Sequence, residues 1–363
     1  MNREFWKDRR VLVTGHTGFK GSWLSLWLQR LGAAVTGYGL AAPTCPSLYE
    51  AAEVACGMLP IVGDVRDLGS LQRTFRAHRP EIVFHLAAQS LVRPSYEAPV
   101  DTYATNIMGT VNVLEAARQS PGVRSIVVVT SDKCYANQER VRGYSEAERL
   151  GGHDPYSSSK ACAELVTAAY TSSFFAPEEY DRHRVAVATA RAGNVIGGGD
   201  WAADRLLPDI IRALGAGKPV VIRNPNAVRP WQHVLEPLRG YIELAEALAE
   251  VGPEFSGGWN FGPVDADARP VSWIVERITR HWGNGARWEL DDRPNPHEAR
   301  TLRLDCSKSR SQLGWEPVLG LSTALDSVVA WYRAFYRCCS SGHASARPLA
   351  NREIACYEEL LQC

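Results

Sequence analysis

One stretch constrains this chain more than any other. The apolar run Val11-Leu12-Val13-Thr14 leads into Gly15-His16-Thr17-Gly18-Phe19-Lys20-Gly21 and then into Trp23-Leu24-Ser25-Leu26-Trp27-Leu28. This is a strand, a Gly-x-x-Gly-x-x-Gly turn and a helix. Glycines permit a tight turn and let backbone N–H groups approach a pyrophosphate at the helix N-terminus. The same alternation continues downstream. Short apolar runs at 10–14, 34–38, 58–62, 82–86, 125–130 and 184–190 alternate with helical stretches at 19–31, 68–78, 102–119 and 156–172. Continuous apolar runs suit parallel strands buried on both faces. The expected fold class is α/β, a Rossmann-type doubly wound parallel sheet.

The texture changes after Asn194. Gly197-Gly198-Gly199 and a series of prolines introduce an irregular region with helices expected near 206–214, 236–250 and 271–282 and a strand-like stretch at 301–304. Residues 1–193 therefore read as the dinucleotide-binding domain. Residues 194–337 read as a smaller α/β substrate-binding lobe with some chain returning to the sheet, and 338–363 as a tail. In that tail, the small and polar residues 338–346 are expected to be mobile and 351–361 to form a last helix. A length of 363 residues fits two domains at about 150 residues each.

Composition narrows the function. Lys+Arg and Asp+Glu are 40 each, which argues against a nucleic-acid partner held by a global positive field. No apolar run reaches about 18 residues, so no membrane span is expected. The polar residues 1–10 run straight into a strand and leave no room for a signal peptide. Nine scattered cysteines without Cys-x-x-Cys or zinc spacing point to a reduced cytoplasmic protein with no structural metal.

Two segments carry the chemistry. Tyr156-Ser157-Ser158-Ser159-Lys160 places a phenol and an ammonium on one helical face. With a nicotinamide cation near both, the phenolate is favoured and can take a proton from an alcohol as hydride leaves its carbon. The fifth strand ends in Thr130-Ser131-Asp132-Lys133, where open α/β sheets place ligands. Ser131 suits the substrate hydroxyl beside Tyr156. The acid Asp132 can protonate a departing hydroxide, or pair with Lys133 as a loop salt bridge. The second strand ends Gly37-Tyr38-Gly39-Leu40, with neither the acid that holds a ribose 2′-hydroxyl nor an arginine for a 2′-phosphate. The missing arginine favours NAD.

These motifs resemble the extended short-chain dehydrogenase/reductase family. Within it, Ser131-Asp132-Lys133, Arg191-Ala192-Gly193-Asn194, Arg229-Pro230-Trp231 and Pro296-His297-Glu298 are similar to the nucleotide-sugar 4,6-dehydratases that act on CDP-glucose. Relatives acting on dTDP-glucose carry Asp-Glu where this chain has Asp132-Lys133. The resemblance implies NAD contacts from Gly15, Thr17, Gly18, Phe19, Lys20, Gly21, Asp64, Val65, Leu86, Ala87, Ala88, Gln89, Asn106, Thr130, Tyr156 and Lys160. It implies catalysis by Ser131, Asp132, Lys133, Tyr156 and Lys160, with Lys133 as a C5 base or as a group orienting Asp132 or a water. The expected reaction converts CDP-glucose to CDP-4-dehydro-6-deoxyglucose and water, with NAD recycled, for bacterial surface polysaccharide.

Substrate contacts are expected from Asn194, Arg205, Arg229, His297 and Glu298, with Arg191 also near the cleft. Trp201, Trp231 and Trp259 read as lobe core or as packing for the base. A homodimer or homotetramer is expected through residues 102–119 and 156–172. The rival readings are an epimerase or dehydratase for another nucleotide sugar, and a non-catalytic NAD-binding scaffold. Asp132-Lys133 counts against an epimerase, which needs no acid at C6. Ser131, Tyr156 and Lys160 together count against a scaffold.

Overall fold

The computed structural model describes residues 1–283, 285–291, 301–340 and 345–362. Seven strands form one parallel sheet: β1 (Arg10–Thr14), β2 (Ala34–Gly39), β3 (Leu59–Val62), β4 (Ile82–His85), β5 (Ser125–Val129), β6 (Ala186–Ala192) and β7 (Gly257–Phe261). Their order is β7-β6-β5-β4-β1-β2-β3, which reverses direction beside β1. Neighbouring strands pair in register, for example Val13 with Phe84 and Val127 with Ala188.

Each central strand divides its apolar residues between two layers. Val11, Val13, Ile82, Phe84, Val127 and Val129 face one core, while Leu12, Val83, Ile126 and Val128 face the other. The first layer is covered by α1 (Phe19–Leu31) and the second by α2 (Leu68–His78), α3 (Gly109–Arg118) and part of α4 (Pro155–Phe174). A sheet covered on both faces demands unbroken apolar strands, and this sequence supplies them.

Three differences from the sequence expectation have local causes. The sixth strand begins at Ala186 rather than 184, because Arg184 adopts a left-handed φ of 56° that closes the short helix Tyr180–His183. The helix expected over 102–119 starts at Pro99, and a π turn at Ala104–Met108 leads into α3. Residues 301–304 do not form a strand. Thr301 bridges Val228 and Leu304 bridges Tyr144, each as an isolated pair against irregular chain.

Beyond β6 the chain builds the second lobe. It contains α5 (Leu206–Gly215), α6 (Leu235–Glu250), α7 (Val271–Trp282) and α8 (Leu321–Ser340), with three two-stranded sheets. Helix α6 packs against β5 and β6, and β7 closes the sheet edge, so this part of the chain is interleaved with the seven-stranded sheet. Trp259 and Trp231 are buried, and Trp201 packs edge-on against Trp331 and Tyr332. Cys338 to Ser340 continue α8; residues 341–344, the rest of the stretch expected to be mobile apart from 345 and 346, lie outside the described residues.

The tail helix α9 (Arg347–Leu360) begins before residue 351 and docks on both parts of the chain. Ala350, Ile354 and Tyr357, spaced three to four apart, form its buried face. Trp27 Nε1 donates to Glu358 Oε1 at 3.0 Å. The Tyr357 hydroxyl donates to Glu236 Oε2 at 2.7 Å, while the other oxygen of Glu236 accepts the Val318 and Leu319 N–H groups. Replacing Tyr357 with Phe leaves one buried carboxylate oxygen short of a donor. It should lower stability by about 1–2 kcal/mol in urea titration; unchanged stability would show that the Tyr357–Glu236 bond adds nothing to the docking of α9.

Candidate active site

The carboxyl ends of β1, β4, β5 and β6 open on a cleft of about 2770 Å³. The glycine loop forms one wall, and its geometry allows no side chain at two points. Gly15 has a φ of 74°, and a Cβ there would lie 2.7 Å from Ala87 N. A Cβ on Gly21 would lie 2.1 Å from Gly15 O. Gly18 caps α1 without a side chain, so the first-turn N–H groups of that helix are left to the cleft. A bare loop, an uncapped helix N-terminus and an adjoining cleft fit a dinucleotide pyrophosphate.

The loop after β4 is tied to this wall. Ala87 N donates to Thr14 Oγ1 at 3.2 Å, and Thr14 Oγ1 contacts His85 Nδ1 at 2.8 Å. His85 Nε2 contacts Thr110 Oγ1 at 3.2 Å. Asn106, brought inward by the π turn, accepts from Gln89 N and donates to Gln89 O and Ser159 Oγ, at 2.8 to 2.9 Å. Its amide therefore fastens the loop to α4. Leu86, Ala87, Ala88 and Gln89 line the cleft, as do Thr17, Phe19, Asp64 and Val65. The Asp64 carboxylate is engaged by Arg66, which holds it below its usual range.

Ser131, Asp132, Lys133, Tyr156 and Lys160 meet at one end of the cleft. The Ser131 hydroxyl donates to Asp132 Oδ1 at 3.0 Å and accepts from Lys133 N at 3.2 Å. Asp132 is 2% exposed. Its Oδ2 is buried with no hydrogen-bond partner among the described residues. Burial pushes the acid up, against the pull of Lys133, the Ser131 hydrogen bond, Arg229 and Lys20. A carboxyl group held in this way favours its protonated form and can give a proton.

Tyr156 departs from the expected lowered phenol. In the protein alone, burial pushes it up to about 12. Lys160 does not offset this: its Nζ donates to Val129 O at 3.1 Å, and burial lowers it to about 8. Desolvation outweighs the cation one turn away, so lowering of the phenol falls to charge brought in by a bound cofactor. Lys20 is likewise lowered to about 7, by burial and by Arg205, and its Nζ lies 3.4 Å from the Tyr241 hydroxyl.

On the lobe side, Asn194, Arg205 and Arg229 line the cleft. Arg205 pairs with Asp200 at 3.0 Å and donates to Ser90 Oγ at 3.1 Å. Arg229 Nη1 donates to Val228 O at 3.1 Å. Arg191 is a correction: it is buried and pairs with Glu164 at 2.6 Å, turned away from the cleft. Thr130 also turns its hydroxyl to Glu164. His297 and Glu298 lie outside the described residues. Among the described residues, no group of three or more His, Cys, Asp or Glu can hold a metal, and no helix is long and apolar enough to cross a membrane. Sequence reasoning did not single out Glu164 or Tyr241, because a helical glutamate and a helical tyrosine carry no local signal of burial.

Residues 12–328 match the family profile described as GDP-mannose 4,6 dehydratase. The chain belongs to this family. A CDP-glucose 4,6-dehydratase of Salmonella typhimurium is 55% identical over 337 residues, covering 93% of this chain and 94% of the relative. Among solved structures of similar fold is the dTDP-glucose 4,6-dehydratase of Bacillus anthracis in complex with NAD. It has a TM-score of 0.74 at 21% identity and covers 91% of this chain and 98% of its own. MoeE5 in complex with UDP-glucose and NAD has a TM-score of 0.74 at 27% identity, covering 89% of this chain and 98% of its own. The candidate residues stand at strand ends, where open α/β sheets place ligands.

The buried His85 gives the site a pH signature. Burial lowers it from 6.5 to about 3, so the unfolded chain binds one more proton in that interval. Its contribution is fully present above about pH 6.5 and is lost as pH falls towards about 3, at up to about 1.4 kcal/mol per pH unit. Replacing His85 with Gln should flatten the stability profile between pH 6.5 and 4.5, measured by denaturant titration. A wild-type-like slope in the variant would assign the acid sensitivity to other groups.

Proposed function

We propose that this chain is an NAD-dependent CDP-glucose 4,6-dehydratase, releasing CDP-4-dehydro-6-deoxyglucose and water. The observation that carries the reading is the buried Asp132, with an unpartnered oxygen facing Gly193 beside Ser131 and Tyr156. The 55% identity to the Salmonella enzyme supports the nucleotide and sugar. Bound NAD would supply the acceptor for the hydride from the sugar C4 and the donor for its return to C6.

The residues divide the remaining work. Tyr156 takes the proton of the 4-hydroxyl, and Ser131 holds that oxygen in place. Lys160 neutralises the phenolate. Asp132 gives its proton to the departing 6-hydroxyl, and its burial keeps that proton available. Lys133, half-buried beside it, is our candidate to take the proton at C5. The bare backbone of Gly15, Gly18 and Gly21, with Thr17, Phe19 and Lys20 on the same loop, holds the cofactor phosphates. Asp64, Val65 and residues 86–89 flank the adenosine, while Asn106 and Thr130 set the loop and strand end from behind. Arg205, Arg229 and Asn194 receive the substrate diphosphate; an arginine fork suits phosphate oxygens.

We further infer a cytoplasmic homo-oligomer serving surface-polysaccharide synthesis. Eight free cysteines among the described residues support a reducing compartment. Exposed Val100, Met108, Leu165 and Phe174 on the two long helices support a pairing face.

Mass spectrometry tests the reading directly. Incubated with CDP-, dTDP-, UDP- and GDP-hexoses without added reductant, the protein should remove one water from CDP-glucose alone. Loss from another nucleotide sugar would overturn the substrate assignment, and loss from none would overturn the reaction. Replacing Tyr156 with Phe should cut turnover by at least about 100-fold while NAD still co-purifies. Replacing Asp132 with Asn should slow water loss by about 100-fold or more; an unchanged rate would move the acid elsewhere.

A further inference from the structure

Glu164 has no part in the roles drawn above, yet it is among the most tightly held groups in the protein. It lies one helical turn beyond Lys160 on α4 and is 4% exposed. One carboxylate oxygen accepts the Thr130 hydroxyl. The other accepts the Thr189 hydroxyl at 2.6 Å and Arg191 Nη2 at 2.6 Å. These partners come from the end of β5 and from β6, so the carboxylate bolts the catalytic helix to two strands.

The position of Thr130 gives this contact its consequence. The residue before it, Val129, supplies the carbonyl that receives Lys160 Nζ. The residue after it is Ser131, which carries the hydroxyl bonded to Asp132. A carboxylate fastened to Thr130 therefore fixes, on one side, the acceptor of the lysine and, on the other, the serine and acid that meet the sugar. Behind Glu164 the network continues. Arg191 Nη1 donates to the Tyr135 hydroxyl at 2.8 Å and to Glu146 O at 3.0 Å, and Tyr135 donates to Asn260 Oδ1 at 2.7 Å. A purely structural ion pair in this place gains little over apolar packing, since desolvation offsets most of its attraction.

We propose that Glu164 is a positioning residue for the dehydration, locking the Tyr156–Lys160 helix to the strand end that carries Ser131 and Asp132. The inference rests on the dehydratase reading. The charged and titratable groups facing Lys160 are Tyr156 and Glu164 on its own helix, Cys134 after β5, Lys20 on α1 and His85 on β4; Arg191 on β6 stands behind Glu164. Of these, Glu164 is the first that favours the ammonium, and it opposes the burial that lowers Lys160. Removing its charge makes the ammonium harder to keep, so turnover should be lost at a lower pH on the alkaline side.

The test compares wild type with Glu164→Gln, Glu164→Asp and Thr189→Val. In Glu164→Gln, kcat for CDP-glucose should fall about tenfold or more, KM should stay within about twofold, and the alkaline limb of the kcat profile should move to lower pH. Glu164→Asp should restore the limb. Thr189→Val, which keeps the charge and loosens one anchor, should leave the limb in place and speed amide exchange over residues 129–134. That exchange is read by mass spectrometry on the protein without substrate, so a failure of the CDP-glucose reading leaves this arm standing. Unaltered exchange at 129–134 in both Glu164→Gln and Thr189→Val would overturn the lock, and an unmoved alkaline limb in Glu164→Gln would show that the lock does not act on Lys160. If Glu164→Gln does not fold, Glu164→Asp and Thr189→Val decide the lock by the same exchange measurement.

Discussion

The arrangement of this site depends on main chain packed directly on main chain. At Gly15 the glycine loop touches the chain at Ala87, with no room for a methyl group between them. A side chain there would push the two loops apart, and the linked bonds would go with them. Ala87 N reaches Thr14, Thr14 reaches His85, and His85 reaches Thr110. Two residues beyond Ala87, Gln89 is held by Asn106, whose amide also reaches Ser159, the residue before Lys160. The loop that suits a pyrophosphate and the helix that bears the phenol are thus one connected hydrogen-bonded unit.

Burial sets the electrostatics of that unit. Asp132 and Tyr156 are raised, and Lys20 and Lys160 are lowered, and in each case desolvation is the largest cause. Every one of these groups is pushed towards its neutral form. At this end of the cleft burial works against charge on all four groups, so the charge of an arriving ligand acts on them strongly. That explains why the phenol is not activated in the protein alone. The spacing Tyr-x-x-x-Lys puts the cation on the same helical face, where it is bonded to Val129 O, but it does not provide the second positive charge that the argument from sequence required.

The sheet was legible because strands buried on both faces must be apolar throughout, and the runs in this sequence are. The glycine loop was legible because its spacing has few other uses. Other features depend on contacts between distant segments and leave no local trace. The π turn that brings Asn106 inward looks like ordinary helix in sequence. Arg191 reads as a cleft arginine because it precedes Asn194, and only the fold shows Glu164 opposite it. The tail gave no motif at all, since Tyr357 and Glu358 act through partners at Glu236 and Trp27. Arg184, in a left-handed conformation, shortened a strand whose hydrophobic pattern ran two residues further.

Fold and chemistry separate cleanly here. Solved structures at 21% and 27% identity share the architecture with TM-scores of 0.74, so the sheet by itself does not choose a reaction. The proposed reaction turns on the pair after Ser131. An acid in open solvent at that point would be ionised and of little use for protonating a leaving group. Asp132 is sealed by Gly193 on one side, where a Cβ would lie 3.2 Å from Oδ2, and is bonded to Ser131 on the other. Gly193 carries no side chain beside that oxygen, and burial pushes the acid towards its neutral form. The sequence supplies the acid, but that push comes from the desolvation that the fold imposes on it.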